Sequence, residues 1–199
     1  MSRDDPGRAS SLALGSGAIG SLGRAAARLD QELFERTARR RSPLLDRALP
    51  RLTRAADHGV LWMAVAGGLA LVGGPRGRRA AWTGMVAVAV TSALANQLGK
   101  RSFSRRRPLL DAVPLDRRAH RVPISASFPS GHAASAAAFA TTVATTVPAA
   151  AVPVGVLAVG VAYSRVHTGV HYPGDVAAGV LLGGSVGLLL GRRARRKGR

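Results

Sequence analysis

Apolar positions in this chain come in long unbroken runs, without the alternation of a half-buried strand or the single stripe of a soluble amphipathic helix. Residues 59–74 and 80–99 form the first two runs. From Ala133 to Ser164 there are 32 residues without a charge, and residues 176–190 form the last run. As one straight helix the 32-residue run would reach about 48 Å, too long for a hydrocarbon core of about 30 Å. Pro148 and Pro153 fall near its middle, and proline interrupts helices, so the run reads as a hairpin of two helices over 132–147 and 150–164. The last run carries Gly179, Gly183 and Gly187, continued by Gly191, one glycine every four residues. In water such a ladder weakens a helix, whereas in a bilayer it lets a neighbouring backbone come close. The expected fold class is therefore an all-α, integral-membrane helical bundle of about five spans. A soluble alanine-rich core competes, because four of the five runs fall short of the roughly 18–20 residues of a comfortable span. A chain of 199 residues cannot readily cover five charge-free helices, which favours the bilayer.

Residues 1–57 read differently. Ser10 to Leu22 is small and apolar but lacks the ordered regions of a signal peptide. Leu22, Ala26, Leu29 and Leu33 share one helical face, Arg36 and Arg39 to Arg41 crowd its end, and Ser42-Pro43 stops it. This segment is expected to be a basic amphipathic, partly disordered arm near anionic headgroups, or a solvated helical arm. Residues 58–191 then form the membrane domain and 192–199 a basic tail.

Charge sharpens the picture. The chain holds 29 Lys and Arg against 10 Asp and Glu, for a net charge of +19, yet 47% of it is hydrophobic. The cations cluster in residues 3–54, at Pro75–Arg79, from Lys100 to Arg121 and in the tail. With no cysteine, disulfides, thiolate metal sites and a thiol nucleophile are excluded. With only two Trp, two Tyr and four Phe the chain supplies a poor base-stacking platform, so nucleic acid is not an expected partner. After Asp116 the single side-chain carboxylate is Asp175.

Simple alternation of the five helices puts three polar segments at one end. The first, Lys100 to Pro108, mixes cations with two serines and could by itself be a lipid-headgroup patch. The second, Pro129-Ser130-Gly131-His132, opens a charge-free helix, where free N–H groups and the helix dipole favour a phosphate. The third, Ser164 to Asp175, combines Arg165, His167, His171 and the lone late carboxylate. Asp175 is either a helix cap, worth about 0.5–2 kcal/mol, or the group that orients an imidazole.

Taken together the three segments resemble the signature motifs of the type 2 phosphatidic acid phosphatase superfamily, integral-membrane lipid phosphate phosphatases of which this chain looks like a compact actinobacterial type. Lys100, Arg107 and Pro108 match the first motif, Pro129 to His132 the second, and Ser164, Arg165, His171 and Asp175 the third. The resemblance implies that Lys100, Arg107, Ser130, Gly131 and Arg165 hold the phosphate. It implies that His171 is the nucleophile that forms a phosphohistidine, that Asp175 aims it, and that His132 protonates the leaving oxygen and then activates water. Three cations suit a phosphoryl transition state, and Arg suits bidentate contact. The substrate implied is a phosphomonoester or pyrophosphate of a phospholipid or polyprenyl lipid, with membrane lipids as the other partners and no cofactor.

Two readings compete. His167 and His171 stand four residues apart, with Asp175 and His132 nearby, as a possible zinc or iron set. Thr168 stands where a His-Glu-x-x-His helix has its Glu, so no metal is expected. A non-enzymatic basic protein that binds anionic lipid would explain the charge but not His132, His171 and Asp175; vanadate-dependent haloperoxidase chemistry fits poorly with the membrane character. His58 and His120 are expected at the surface. The six cations of the tail and the three of residues 76–79 lie opposite the three polar segments. The positive-inside rule then predicts a multi-pass protein of the cell membrane with an extracytoplasmic site, although the 11 cations before residue 58 fall on the other side.

Overall fold

A computed structural model describes the backbone of residues 6–102, 105–119 and 125–197, with the side chains of residues 21, 23–97, 105–119 and 125–197. Its described residues form α1 (Pro6–Arg39), α2 (Pro43–Ala55), α3 (Val60–Val72), α4 (Gly74–Ser102), α5 (Gly131–Thr146), α6 (Ala151–His167) and α7 (Pro173–Arg196). The last five are the expected runs, with limits within about three residues except that α4 starts and α7 ends six residues beyond them. Their ends follow local chemistry. Pro43 and Pro173 open α2 and α7, where a missing N–H costs nothing. Pro148 lies in the short turn between α5 and α6, and Pro153 is tolerated in the first turn of α6.

One connection differs from expectation. Residues 75–79 are the first turns of α4, and the chain reverses at Gly73-Gly74 instead. Gly74 takes a left-handed φ of 57°. A Cβ on Gly77 would stand 2.1 Å from the Leu69 carbonyl oxygen, so the two helices separate without room for a loop.

The protein is an all-α membrane bundle. The central helix, α5, packs against α4, α6 and α7; α3 packs on α4, and α2 on α6. Inside, Trp62 and Phe139 meet at 5.2 Å between ring centroids, and Val88, Val143 and Val161 close around them. Most of the remaining buried positions are alanine or glycine. Large apolar side chains face outward: Leu71 is 87% exposed and Trp82 74%. Small residues inside and large ones outside is the arrangement that lipid, not water, rewards.

The expected number of spans is corrected. Among the described residues two helical stretches, Pro148–His167 and Pro173–Arg196, are long and apolar enough to cross a membrane. A third is reached if Pro43–Ala55 and Asp57–Val72, bent by 63°, count as one broken span. α3 and α5 are short, with 13 and 16 residues, about 20 and 24 Å of helix, whereas α4 has 29 residues but carries Arg76, Arg78 and Arg79 in its first turns.

The basic segment before residue 58 is packed onto this bundle. Among the described side chains of α1 the buried ones are Asp30, Phe34 and Ala38, while Ala26, Leu29 and Leu33 of the expected apolar face stay exposed and Leu22 lies outside the described side chains. Phe34 and Ala38 join Val113 and Val166 in a second small core, and the Phe34 ring meets Tyr172 edge-on at 5.6 Å. Arg117, fully buried, donates to the carbonyl of Ala38 at 2.8 Å and to Asp46 at 3.2 Å. It thereby satisfies carbonyls that the end of α1 leaves open.

Candidate active site

The three polar segments meet at one end of the bundle, as helix alternation demands. The chain leaves α6 through Thr168 and Gly169, whose left-handed φ of 78° turns it back. That turn brings the amides of Val170 and His171 onto the Arg165 carbonyl, each at 3.2 Å. The start of α7 then joins the start of α5, where the Ser130 amide donates to the Asp175 carbonyl at 2.9 Å.

Arg107 reaches across from the first segment. Its Nη1 donates to the Val170 carbonyl at 2.8 Å and lies 3.3 Å from His171 Nε2; its Nη2 donates to the Ala126 carbonyl at 3.2 Å. A guanidinium can only donate, so this contact leaves the lone pair on Nε2 and the proton on Nδ1. That Nδ1 faces Asp175 Oδ2 at 3.6 Å, just beyond hydrogen-bond reach. Burial, the largest influence, and the charges of Arg165 and Arg107 push the His171 imidazole down to about 4, against the opposing pull of Asp175. At neutral pH the ring is uncharged, with Nε2 available.

Asp175 is fully buried, and its hydrogen bonds show the helix cap. It stands in the first turn of α7, where Oδ2 accepts from the Tyr172 amide at 2.9 Å, so it caps the helix. Its other oxygen accepts from Arg105 Nη1 at 2.9 Å. Arg105 lies over the Tyr172 ring, 4.3 Å from its centroid, and also pairs with Asp30, whose Oδ1 accepts from the Gly174 amide at 2.6 Å.

Around His171 lie buried polar atoms without a hydrogen-bond partner among the described residues: Ser130 Oγ and Arg165 Nε. Arg165 is held by a hydrogen bond from Nη1 to Thr53 Oγ1 of α2. Gly131 is the first residue of α5, where free amides point out of the helix. His132 follows, with Nε2 at 2.8 Å from Asp57 Oδ1. Lys100 stands near the end of α4, at this end of the bundle, and its side chain lies outside the described ones.

His167 does not join the group. It turns to α2, with Nε2 2.9 Å from Asp46 Oδ1. Among the described residues no three His, Asp or Glu side chains gather as a metal site. His58 is exposed, and His120 lies outside the described residues. Sequence reasoning missed Asp30, Thr53, Asp57 and Arg105. The one signal for the three carboxylates Asp30, Asp46 and Asp57 was their persistence in a segment otherwise dominated by arginine.

The arrangement matches known proteins. The PAP2 superfamily model covers residues 80–199. A decaprenylphosphoryl-5-phosphoribose phosphatase of Mycobacterium tuberculosis is 38% identical over 155 residues, 73% of this chain and 81% of that one. An undecaprenyl-diphosphatase of Sulfolobus acidocaldarius is 46% identical over 68 residues, 34% of this chain and 33% of its own. Among solved structures, a transmembrane PAP2-type phosphatidylglycerolphosphate phosphatase from Bacillus subtilis shares the fold with a TM-score of 0.66 at 24% identity, over 86% of this chain and 87% of that one. LpxE of Aquifex aeolicus does so with a TM-score of 0.61 at 24% identity, over 84% of this chain and 95% of its own. The match of the family model over residues 80–199 and the 38% identity to a phosphatase covered over 81% of its length establish that the chain belongs to the PAP2 superfamily.

Proposed function

We propose that this protein is a membrane phosphatase that removes a phosphate from a polyprenyl-linked or related lipid, through a phosphohistidine on His171 and without a metal ion. The observation that carries it is the contact of Arg107 with His171 Nε2 at 3.3 Å, which sets an uncharged nitrogen nucleophile beside a fixed cation. Arg107, Arg165 and Lys100 would tighten on the equatorial oxygens as charge develops. His171 Nε2 attacks phosphorus; the P–O bond to the leaving group breaks, and its electron pair goes to the alkoxide, which takes a proton from His132. In the second half His132 takes a proton from water, whose oxygen attacks phosphorus and releases His171. Asp175 stabilises the positive charge that builds on the His171 ring.

The polyprenyl class is supported by the mycobacterial relative, a decaprenylphosphoryl-5-phosphoribose phosphatase that this chain matches over 81% of its length. The site is proposed to face the outside of the cell membrane. Arg76, Arg79 and Arg195 gather at the far end of the bundle, where the positive-inside rule favours the cytoplasm. A reporter active only in the cytoplasm, fused after Arg199, is expected to be active; silence there with activity at Asp116 would invert the topology.

The test is a screen of lipid phosphates with the purified protein, with and without EDTA, followed by acid and alkaline quenching of enzyme turned over on labelled substrate. Expected are EDTA-insensitive release and a phosphoenzyme that survives alkali but not acid. Loss of activity in EDTA, restored by zinc or magnesium, overturns the metal-free scheme. Unchanged turnover in His171→Ala overturns the nucleophile.

A further inference from the structure

Asp57 belongs to none of the three motifs, yet it meets a residue of the second, His132. It opens the short turn Asp57–Gly59 between α2 and α3, where the chain bends by 63°. His58 and Gly59 both take left-handed φ values, 54° and 76°, and for a residue other than glycine that conformation is uncommon and costly. The bend holds the Asp57 carboxylate against His132, Oδ1 to Nε2 at 2.8 Å. Burial, the largest influence, together with the charges of Arg165 of α6 and His171 of the following loop, pushes the His132 imidazole down to about 4, and Asp57 pulls the other way. A ring meant to deliver a proton needs such a counter-charge.

We infer that Asp57 is the positioning residue of His132, orienting its ring and offsetting the positive charge it carries when it protonates the leaving alkoxide. The inference rests on the phosphatase reading above. With Nε2–H donated to Asp57, the proton handed to the leaving oxygen comes from Nδ1, for which no partner exists among the described residues. As the P–O bond breaks, its electron pair takes that proton, and His132 ends neutral with Nε2–H still on Asp57. When water attacks the phosphohistidine, Nδ1 takes a proton back and the Asp57 carboxylate again balances the charge. The α2–α3 bend would thus supply the acid–base half of the site, as Asp175 supplies the nucleophilic half.

The test compares leaving groups. An alkyl or polyprenyl phosphate needs a proton on departure; p-nitrophenyl phosphate does not. For Asp57→Asn, kcat/KM on the lipid phosphate is expected to fall by about a hundredfold or more, while kcat/KM on p-nitrophenyl phosphate stays within a few fold. A burst of nitrophenol should accompany it, because the water step is slowed. His132→Gln should lose at least as much on the lipid phosphate, and Asp57→Glu should recover part of the loss. Retained aryl phosphatase activity certifies the fold of each variant. Equal losses on both substrates, in Asp57→Asn and in Asp57→Glu alike, or no loss on either, overturn the role of Asp57 and leave the phosphatase reading intact. Absence of turnover in the unaltered protein on every phosphate tried overturns both.

Discussion

Gly183 of α7 faces Ala134 of α5 so closely that a Cβ at Gly183 would stand 1.9 Å from the Ala134 carbonyl oxygen. The contact repeats along the ladder. A Cβ on Gly179 would meet the Ser130 carbonyl oxygen at 2.5 Å, and one on Gly187 that of Ala138 at 2.4 Å. Both helices begin at the candidate site, so this seam also sets the distance between Ser130 and Asp175, whose backbones meet at 2.9 Å.

Gly183→Ala is therefore expected to push α5 and α7 apart and to lower both stability and activity. Overpacking of this kind costs about 1–3 kcal/mol, and more where backbone must move. The neighbouring Gly184 is the control: the nearest atom to its Cβ would be Thr141 Oγ1 at 3.9 Å. Gly184→Ala should be neutral or stabilising by up to about 1 kcal/mol, the helix-propensity gain. Thermal unfolding in one detergent compares the two, and equal midpoints would refute close packing at Gly183.

His171 should titrate near pH 4, well below the ordinary value of about 6.5. Folding then excludes a proton between those two values, so the contribution of this group to stability falls as pH falls from about 6.5 toward 4. Removing the guanidinium in Arg107→Gln takes away one of the charges that depress it and should move the titration upward. Imidazole NMR signals, assigned by their loss in His171→Gln, measure both.

His171→Ala should abolish turnover, while Asp175→Asn should leave a small residue, lower by about 10²–10⁴-fold, because Asp175 orients and stabilises without touching phosphorus. Arg165→Lys should also be poorly tolerated, since a point charge cannot replace a planar fork. Single-turnover rates on a lipid phosphate rank the three, and full activity in Arg165→Lys would remove Arg165 from the phosphate clamp.

Asp30→Ala removes the partner of both the Gly174 amide and Arg105. A stability loss of about 1–3 kcal/mol is expected from the unmet buried groups. Alongside it kcat should fall several-fold with little change in KM, because Arg105 then bears on Asp175 alone. A change in KM without one in kcat would show that α1 serves binding instead.

Much of this architecture was legible in the order of residues. The order of the five bundle helices followed from uncharged runs and prolines, though not the start of α4 or the end of α7, and the meeting of the segments that carry Arg107, Ser130, Arg165, His171 and Asp175 followed from alternation, since a helix returns the chain to the opposite end. The glycine ladder announced a close neighbour but not which one. What only the tertiary structure decided are the contacts made by residues 24–57: Asp30 on the start of α7, Thr53 on Arg165, Asp46 on His167 and Asp57 on His132. The segment has the composition of a surface arm, and its apolar stripe through Leu29 and Leu33 suggested a helix lying on the membrane surface. The buried face is instead the one carrying Asp30, because a carboxylate that meets a guanidinium and a helix-end amide can be buried where an unpaired one cannot. Those partners lie 75 and 144 residues away, beyond the reach of any local pattern.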